Sequence, residues 1–267
     1  CESRDVKIVM VQNKGHRLDV EDLKAKLNER SAGLYVESPN YYGLIEEIEE
    51  CTKIVHENKT KMIMGCDPIA LAIYKSPGEM DVDIAVGEGQ QLGMPMGFGG
   101  PYLGFMTCKK ELMRKLPGRI VGETTDHDGR RAYVLTLQAR EQHIRREKAS
   151  SNICSNEALC ALIVGVYCSA MGPNGLASVA SQSMSKAHYL AKELCKIPGI
   201  SMKYTGEFFH EFVVEMPKVD EVLKALEEAG ILGGLPVEGG VLWCATEKAS
   251  KAVLDKTVAI VKEVCAK

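Results

Sequence analysis

Residues 83–104, DIAVGEGQQLGMPMGFGGPYLG, join an apolar, strand-like run to seven glycines within eighteen residues. A glycine-rich segment after a strand lets backbone approach a phosphorylated or planar ligand closely. This one holds no lysine, serine, threonine or histidine, so it has no side chain suited to covalent work. GEGQQLG (87–93) is spaced GxGxxxG rather than GxGxxG. The PMGFGGP that follows does not open promptly into the helix whose N-terminal amides would face a pyrophosphate, so a dinucleotide site is set aside.

Other segments carry groups that could do chemistry. Asp67 follows the strand-like KMIMGC (61–66), and open parallel sheets gather ligands beyond the carboxyl ends of their strands. An aspartate there could pair with a pyridinium nitrogen. Asp67-Pro68 also fits a helix N-cap followed by the first helical residue, with IALAIYK as the helix, and the two roles are compatible. AREQHIRREK (139–148) could hold an anion, and Lys148 could form a Schiff base. Its charges are balanced, with Glu141 and Arg145 four apart, which favours a structural or interface helix. DHDG (126–129) resembles half a calcium loop, but the required bidentate glutamate is replaced by Leu135, so a turn is expected. HExxH, GxSxG and GxxxxGK[ST] are absent, which leaves zinc hydrolase, serine hydrolase and P-loop readings without footing.

Strands alternating with helices must position these groups. The pattern predicts strands at 5–12, 32–38, 61–66, 82–87 and 102–109, with helices at 19–30 and 44–58. Such alternation implies an α/β fold with a mainly parallel sheet. Beyond Leu116 a hairpin is expected around DHDG, then an apolar helix ending at Gly172-Pro173, a long helix to about Cys195, and a small α+β unit with an antiparallel sheet. The run ALCALIVGVYCSAM (158–171) is too short to span a bilayer and reads as a buried helix.

The chain of 267 residues is 45% apolar and 26% charged, with a net charge of −3 and no block of like charge. That balance suits a soluble protein and argues against nucleic-acid or membrane partners. Ten cysteines without a CxxC pair predict free thiols in a reducing cytoplasm and no metal site. The chain opens on cysteine, and its natural beginning is expected to lie upstream.

Several segments together resemble one family. ESPNYYG, DPIAL, VGEGQQLGMPMGFGGPYLGFMTCKKELMRKLPGRIVGET and LTLQAREQHIRREKASSNICSNEAL are similar to the first subunit of glycine dehydrogenase (decarboxylating), the P-protein of the glycine cleavage system in its two-subunit form. The resemblance runs from about Ser38 to Ala180. It implies a fold type I pyridoxal phosphate architecture: a partial, mainly parallel large-domain sheet over 1–155, and a connecting helix with a small α+β domain over 156–267. It implies an N-terminally shortened fragment, whose incomplete sheet would expose an apolar edge and favour self-association. The family's second subunit carries a lysine before a glycine-rich run. Laying that run over GFGGP (97–101) places Gln90 or Gln91 at the lysine's position.

A carboxamide nitrogen is not nucleophilic and forms no Schiff base. The resemblance therefore implies a chain without catalytic residues. Asp67, Gln90, Gln91, Gly97, Gly99 and Gly100 would form a vestigial seat, and pyridoxal phosphate would be held by the partner subunit. Implied partners are a lysine-bearing second P-protein subunit and the lipoyl H-protein, with glycine as substrate of the complex. The alternatives are a self-sufficient transaminase-like homodimer using Lys148 and a non-catalytic scaffold outside glycine cleavage.

Overall fold

The computed structural model describes residues 5–139, 141–149 and 157–266. A short ribbon of β1 (Asn13–Lys14) and β2 (Arg17–Leu18) leads into α1 (Val20–Lys26). Asp19 caps α1 as expected, its carboxylate accepting from the N–H groups of Glu21 and Asp22 at 3.0 and 3.4 Å. The helix stops short of residue 30. Asn28 Oδ1 accepts from the Arg30 N–H and Ser31 Oγ from the Asn28 N–H, which gives the backbone partners outside a helix.

The main sheet has the order β3 (Gly33–Ser38), β4 (Lys61–Cys66), β5 (Ile84–Glu88) and β6 (Gly104–Cys108). Its first three strands are parallel. The fourth pairs antiparallel with β5, because residues 89–103 supply no crossover helix and the chain doubles back. Between β3 and β4 lies α2 (Ile48–Glu57), which turns Ile48, Cys51 and Val55 inward. Sequence periodicity starts this helix at Leu44. In the structure the Ile45 N–H bonds the Glu207 carbonyl and Leu44 bridges Phe208, so these backbones are held in a sheet-like contact.

The strand predicted over 5–12 belongs to no sheet. Val6, Ile8, Val9 and Met10 are exposed, and alternation alone makes no strand without a neighbour to pair with. The helix predicted after Pro68 is only a 3₁₀ turn, Ala70–Ala72. Ser76-Pro77 follows, and the residue before a proline avoids the helical region.

β7 (Ile120–Thr125) and β8 (Arg131–Thr136) form the expected hairpin, with Asp126 Oδ1 accepting from the Asp128 and Arg130 N–H groups at its turn. Next come α3 (Gln142–Arg145) and α4 (Ala158–Leu194), the latter broken where Gly172 adopts φ 62 and ψ 178 before Pro173. The segment before the break is not buried: Leu159, Leu162 and Val166 are exposed, and Cys160 is the one residue there that is buried. α4 is apolar and long enough by composition to cross a membrane. After the break, however, Ala187, Leu190 and Leu194 pack into a protein core.

The remaining elements are β9 (Ser201–Met202), β10 (Glu211–Glu215), α5 (Val219–Glu228), β11 (Leu235–Val237), β12 (Gly240–Cys244) and α6 (Lys251–Ala266). Their sheet is antiparallel, as predicted, and its strands run in the order β11-β12-β10-β9. β11 was not legible among the glycines of residues 230–240; its Pro236 is tolerated because the strand lies at the sheet edge.

One apolar cluster lies under the main sheet and α2, with Leu23, Val55 and Met62 enclosed. A second fills the small sheet around Phe212, Val214, Leu226 and Trp243. A third, with Ile69, Leu92, Ala180 and Phe209, ties the turn after β4 to α4 and the entry to β10. This third cluster fixes where the ends of the parallel strands meet the small sheet.

Candidate functional site

A cleft of about 560 Å³ opens where β3, β4 and β5 end. Those strand ends supply Glu37, Cys66, Asp67, Gly87 and Glu88, while the residues entering β10 supply Phe209, His210 and Glu211. This is the place at which open parallel sheets hold ligands. The loop after β3 seals one side. Gly43 has φ +82, and a Cβ on it would strike the Glu211 carbonyl, so only glycine lets that loop lie against the small sheet.

Asp67 does what the sequence suggested for a cap: its Oδ1 accepts from the Ile69 and Ala70 N–H groups at 2.7 and 3.0 Å. The same oxygen also accepts from the Gln91 side-chain amide at 2.8 Å. Asp67 and Gln91 are therefore brought together in the cleft. Gln90 turns elsewhere, its amide donating to the Met94 carbonyl at 2.9 Å. Gly97, Gly99 and Gly100 form a separate turn, in which the Gly100 N–H bonds the Gly97 carbonyl, and none of them lines the cleft. Lys148 is exposed on a short 3₁₀ turn and is not among the lining residues, so the transaminase-like reading built on it is not favoured.

The cleft is electronegative. Its described lining includes Glu37, Asp67, Glu88 and Glu211 and no lysine or arginine. Burial, reinforced by Asp67 and Glu37, pushes Glu211 up to about 7. Burial holds His210 below the ordinary histidine value, against the opposing pull of Asp67 and Glu247. Burial and then Asp67 raise the Cys66 thiol to about 11. Such shifts mark a poorly solvated wall where negative charge accumulates.

Sequence reasoning missed Glu37, Glu88, His210 and Glu211. The available signal was the polar pair His210-Glu211 breaking the apolar run FFHEFVVEM. A pair of polar, titratable residues at the entry to a core strand breaks a local rule, and such breaks concentrate at functional sites.

Known proteins agree with this architecture. Probable glycine dehydrogenase (decarboxylating) subunit 1 of Desulfitobacterium hafniense is 44% identical over 98% of this chain. The same subunit of Moorella thermoacetica is 45% identical over 100% of it. The chain spans about 60% of the length of these curated relatives. The crystal structure of a glycine decarboxylase (P-protein) of the glycine cleavage system, in inhibitor-bound form, superposes with a TM-score of 0.91 at 40% identity, covering 98% of this chain and 61% of that one. A NifS-like protein, at 15% identity and a TM-score of 0.68, shares the fold alone. The fold is thus like that of the pyridoxal phosphate-dependent transferases, with a partly parallel main sheet. The family model described as glycine cleavage system P-protein matches residues 1–261, and the chain belongs to that family.

Proposed function

We propose that this chain is the subunit of a heteromeric glycine decarboxylase that does not itself bind pyridoxal phosphate, and that it works beside a lysine-bearing second subunit. The naming of its relatives as subunit 1 supports the existence of that second chain. In the assembly the cofactor, held by the partner, supplies the electron sink for releasing glycine's carboxylate as CO2, and the aminomethyl group passes to the lipoyl arm of the H-protein. This chain completes the partner's fold and shapes the approach of the arm. Its free thiols, eight among the described residues, support a reducing cytoplasmic setting.

The observation that carries this reading is the bond between the Gln91 amide and Asp67 in a cleft whose described lining has four carboxylates and no lysine or arginine. An amide at that position captures no aldehyde. A phosphate group would meet like charge with no cation to offset it. These residues do not fit pyridoxal phosphate.

The test uses the chain alone, incubated with pyridoxal phosphate, reduced with borohydride and digested for mass spectrometry. No peptide should gain the reduced cofactor; labelling of Lys148 or any other residue overturns the proposal. In coexpression, glycine-dependent CO2 exchange should require both chains, and exchange by this chain alone would also refute it.

A further inference from the structure

Beside the cleft, two of its lining residues, His210 and Glu211, meet a third side chain, Cys244, in an arrangement that the proposed function does not use. Glu211 and Cys244 stand directly opposite each other in the antiparallel ladder of β10 and β12. Opposed residues on such a pair project to the same face with Cβ atoms about 5 Å apart. His210, immediately before β10, adds an imidazole. One donor atom from each of His210, Glu211 and Cys244 can be chosen so that all lie within 4.8 Å of one another. Nδ1 of His210 is sealed from solvent with no hydrogen-bond partner, an arrangement that folded proteins rarely leave uncompensated. Asp67 adds negative charge nearby, and no lysine or arginine among the described lining residues balances it.

We propose that His210, Glu211 and Cys244 form a site for one zinc ion. An imidazole nitrogen, a carboxylate oxygen and a thiolate sulfur are each established zinc donors. Magnesium and calcium take oxygen ligands and are disfavoured by the sulfur. Tetrahedral zinc bond lengths place donors about 3.5 Å apart, which small rotations of the Glu211 and Cys244 side chains achieve from the observed spacing. On binding, the Cys244 S–H proton, and the Glu211 proton where that carboxyl carries one, leave to solvent as the zinc–sulfur and zinc–oxygen bonds form, and no oxidation or reduction occurs. Two anionic ligands and a neutral imidazole balance the 2+ charge, and three protein ligands leave the fourth position for water. The sequence hides this set because its members come from two strands far apart in the chain, without the close pairing of a CxxC motif. The assignment rests on the cluster alone and stands apart from the silent-subunit reading.

The experiment loads the full 267-residue chain with zinc under a non-thiol reductant, dialyses it against metal-free buffer, and measures retained zinc by mass spectrometry. Cobalt(II) serves in parallel as a spectroscopic probe. About one zinc per chain should remain, and cobalt should show thiolate-to-metal charge transfer in the near ultraviolet with tetrahedral visible bands. Because loss of an outer-shell partner alone costs a metal site roughly tenfold or more, Cys244→Ser, His210→Ala and the nearly isosteric Glu211→Gln should each weaken retention by at least roughly that factor. Cys244→Ser should also abolish the charge-transfer band, while Cys195→Ser, at the end of α4, should keep both signals. Circular dichroism establishes that each variant is folded. A wild-type chain that retains no zinc, or a folded Cys244→Ser chain with undiminished zinc and an unchanged cobalt spectrum, overturns the proposal.

Discussion

Replacing Asp83 with alanine should be among the most destabilising single changes in the main sheet. Asp83 is 1% exposed and sits where β4 and β5 begin. Its carboxylate accepts from the Met62 N–H at 2.8 Å, lies 2.7 Å from His56 Nε2, and accepts from Lys61 Nζ at 3.0 Å. Burial pushes its pKa upward, but the bonds from Met62, His56 and Lys61 outweigh that and hold it well below the usual carboxylate range. In Asp83→Ala the enclosed Met62 N–H loses its partner, at about 1–3 kcal/mol. The bonds to His56 and Lys61 reach partly exposed groups and are discounted for solvent screening to about 1 kcal/mol together. The sum, roughly 2–4 kcal/mol, should lower the melting temperature by roughly 5–15 °C at neutral pH.

Thermal melts followed by circular dichroism measure that shift, with Asp81→Asn as the exposed control changing it little. The pH dependence adds a second check. Because the folded pKa is depressed, the stabilisation is fully present above the unfolded value near ~3.9 and is lost as pH falls below it towards the folded value. The gap between wild type and Asp83→Ala should therefore stay constant down to about pH 4 and then narrow. A neutral-pH melt of Asp83→Ala within about 2 °C of wild type would refute the reasoning, because that corresponds to less than one ordinary hydrogen bond.

Gly43→Ala should destabilise by at least about 1–2 kcal/mol, since it combines a left-handed backbone with a clash against the Glu211 carbonyl. Urea titrations measure that loss, and in them Gly78→Ala, where a Cβ meets open space, should be near neutral. Leu162→Lys should leave stability within about 0.5 kcal/mol, because Leu162 is exposed; a large loss in urea melts would contradict that placement of its side chain. Cys51 and Cys66 are buried, and burial raises their thiols to about 12 and about 11, so both should resist iodoacetamide at pH 8 until denaturant is added. Peptide mass spectrometry showing early labelling at either position would contradict their placement.

Much of the fold was legible along the chain because it rests on local patterns. The apolar stripe of Ile48, Cys51 and Val55, the Asp19 cap and the Gly172-Pro173 break each act within a turn or two of backbone, and each stands as expected. Errors arose where a remote partner decided the outcome. Leu44 and Ile45 have helical spacing, yet Glu207 and Phe208 take their backbone contacts. Residues 5–12 alternate like a strand but have none beside them, and the apolar run at 158–171 buries only one face, leaving Leu159, Leu162 and Val166 exposed. The candidate site shows the same divide. The family resemblance grouped Asp67 with Gln90 and Gln91 without a bond between them, and which glutamine meets Asp67 depends on how that loop folds.

Sequence alone determined the side-chain chemistry of the glycine-rich segment: residues 76–108 contain no lysine, and no folding turns a glutamine carboxamide there into an amine. Only the tertiary structure decided what lies beside that loop. The small antiparallel sheet brings His210 and Glu211 into the cleft with Asp67, and sets Cys244 opposite Glu211, across long stretches of chain. Side-chain type is a covalent property carried by each residue, while the field and donor set of a cleft depend on distances that exist only after the two sheets pack together.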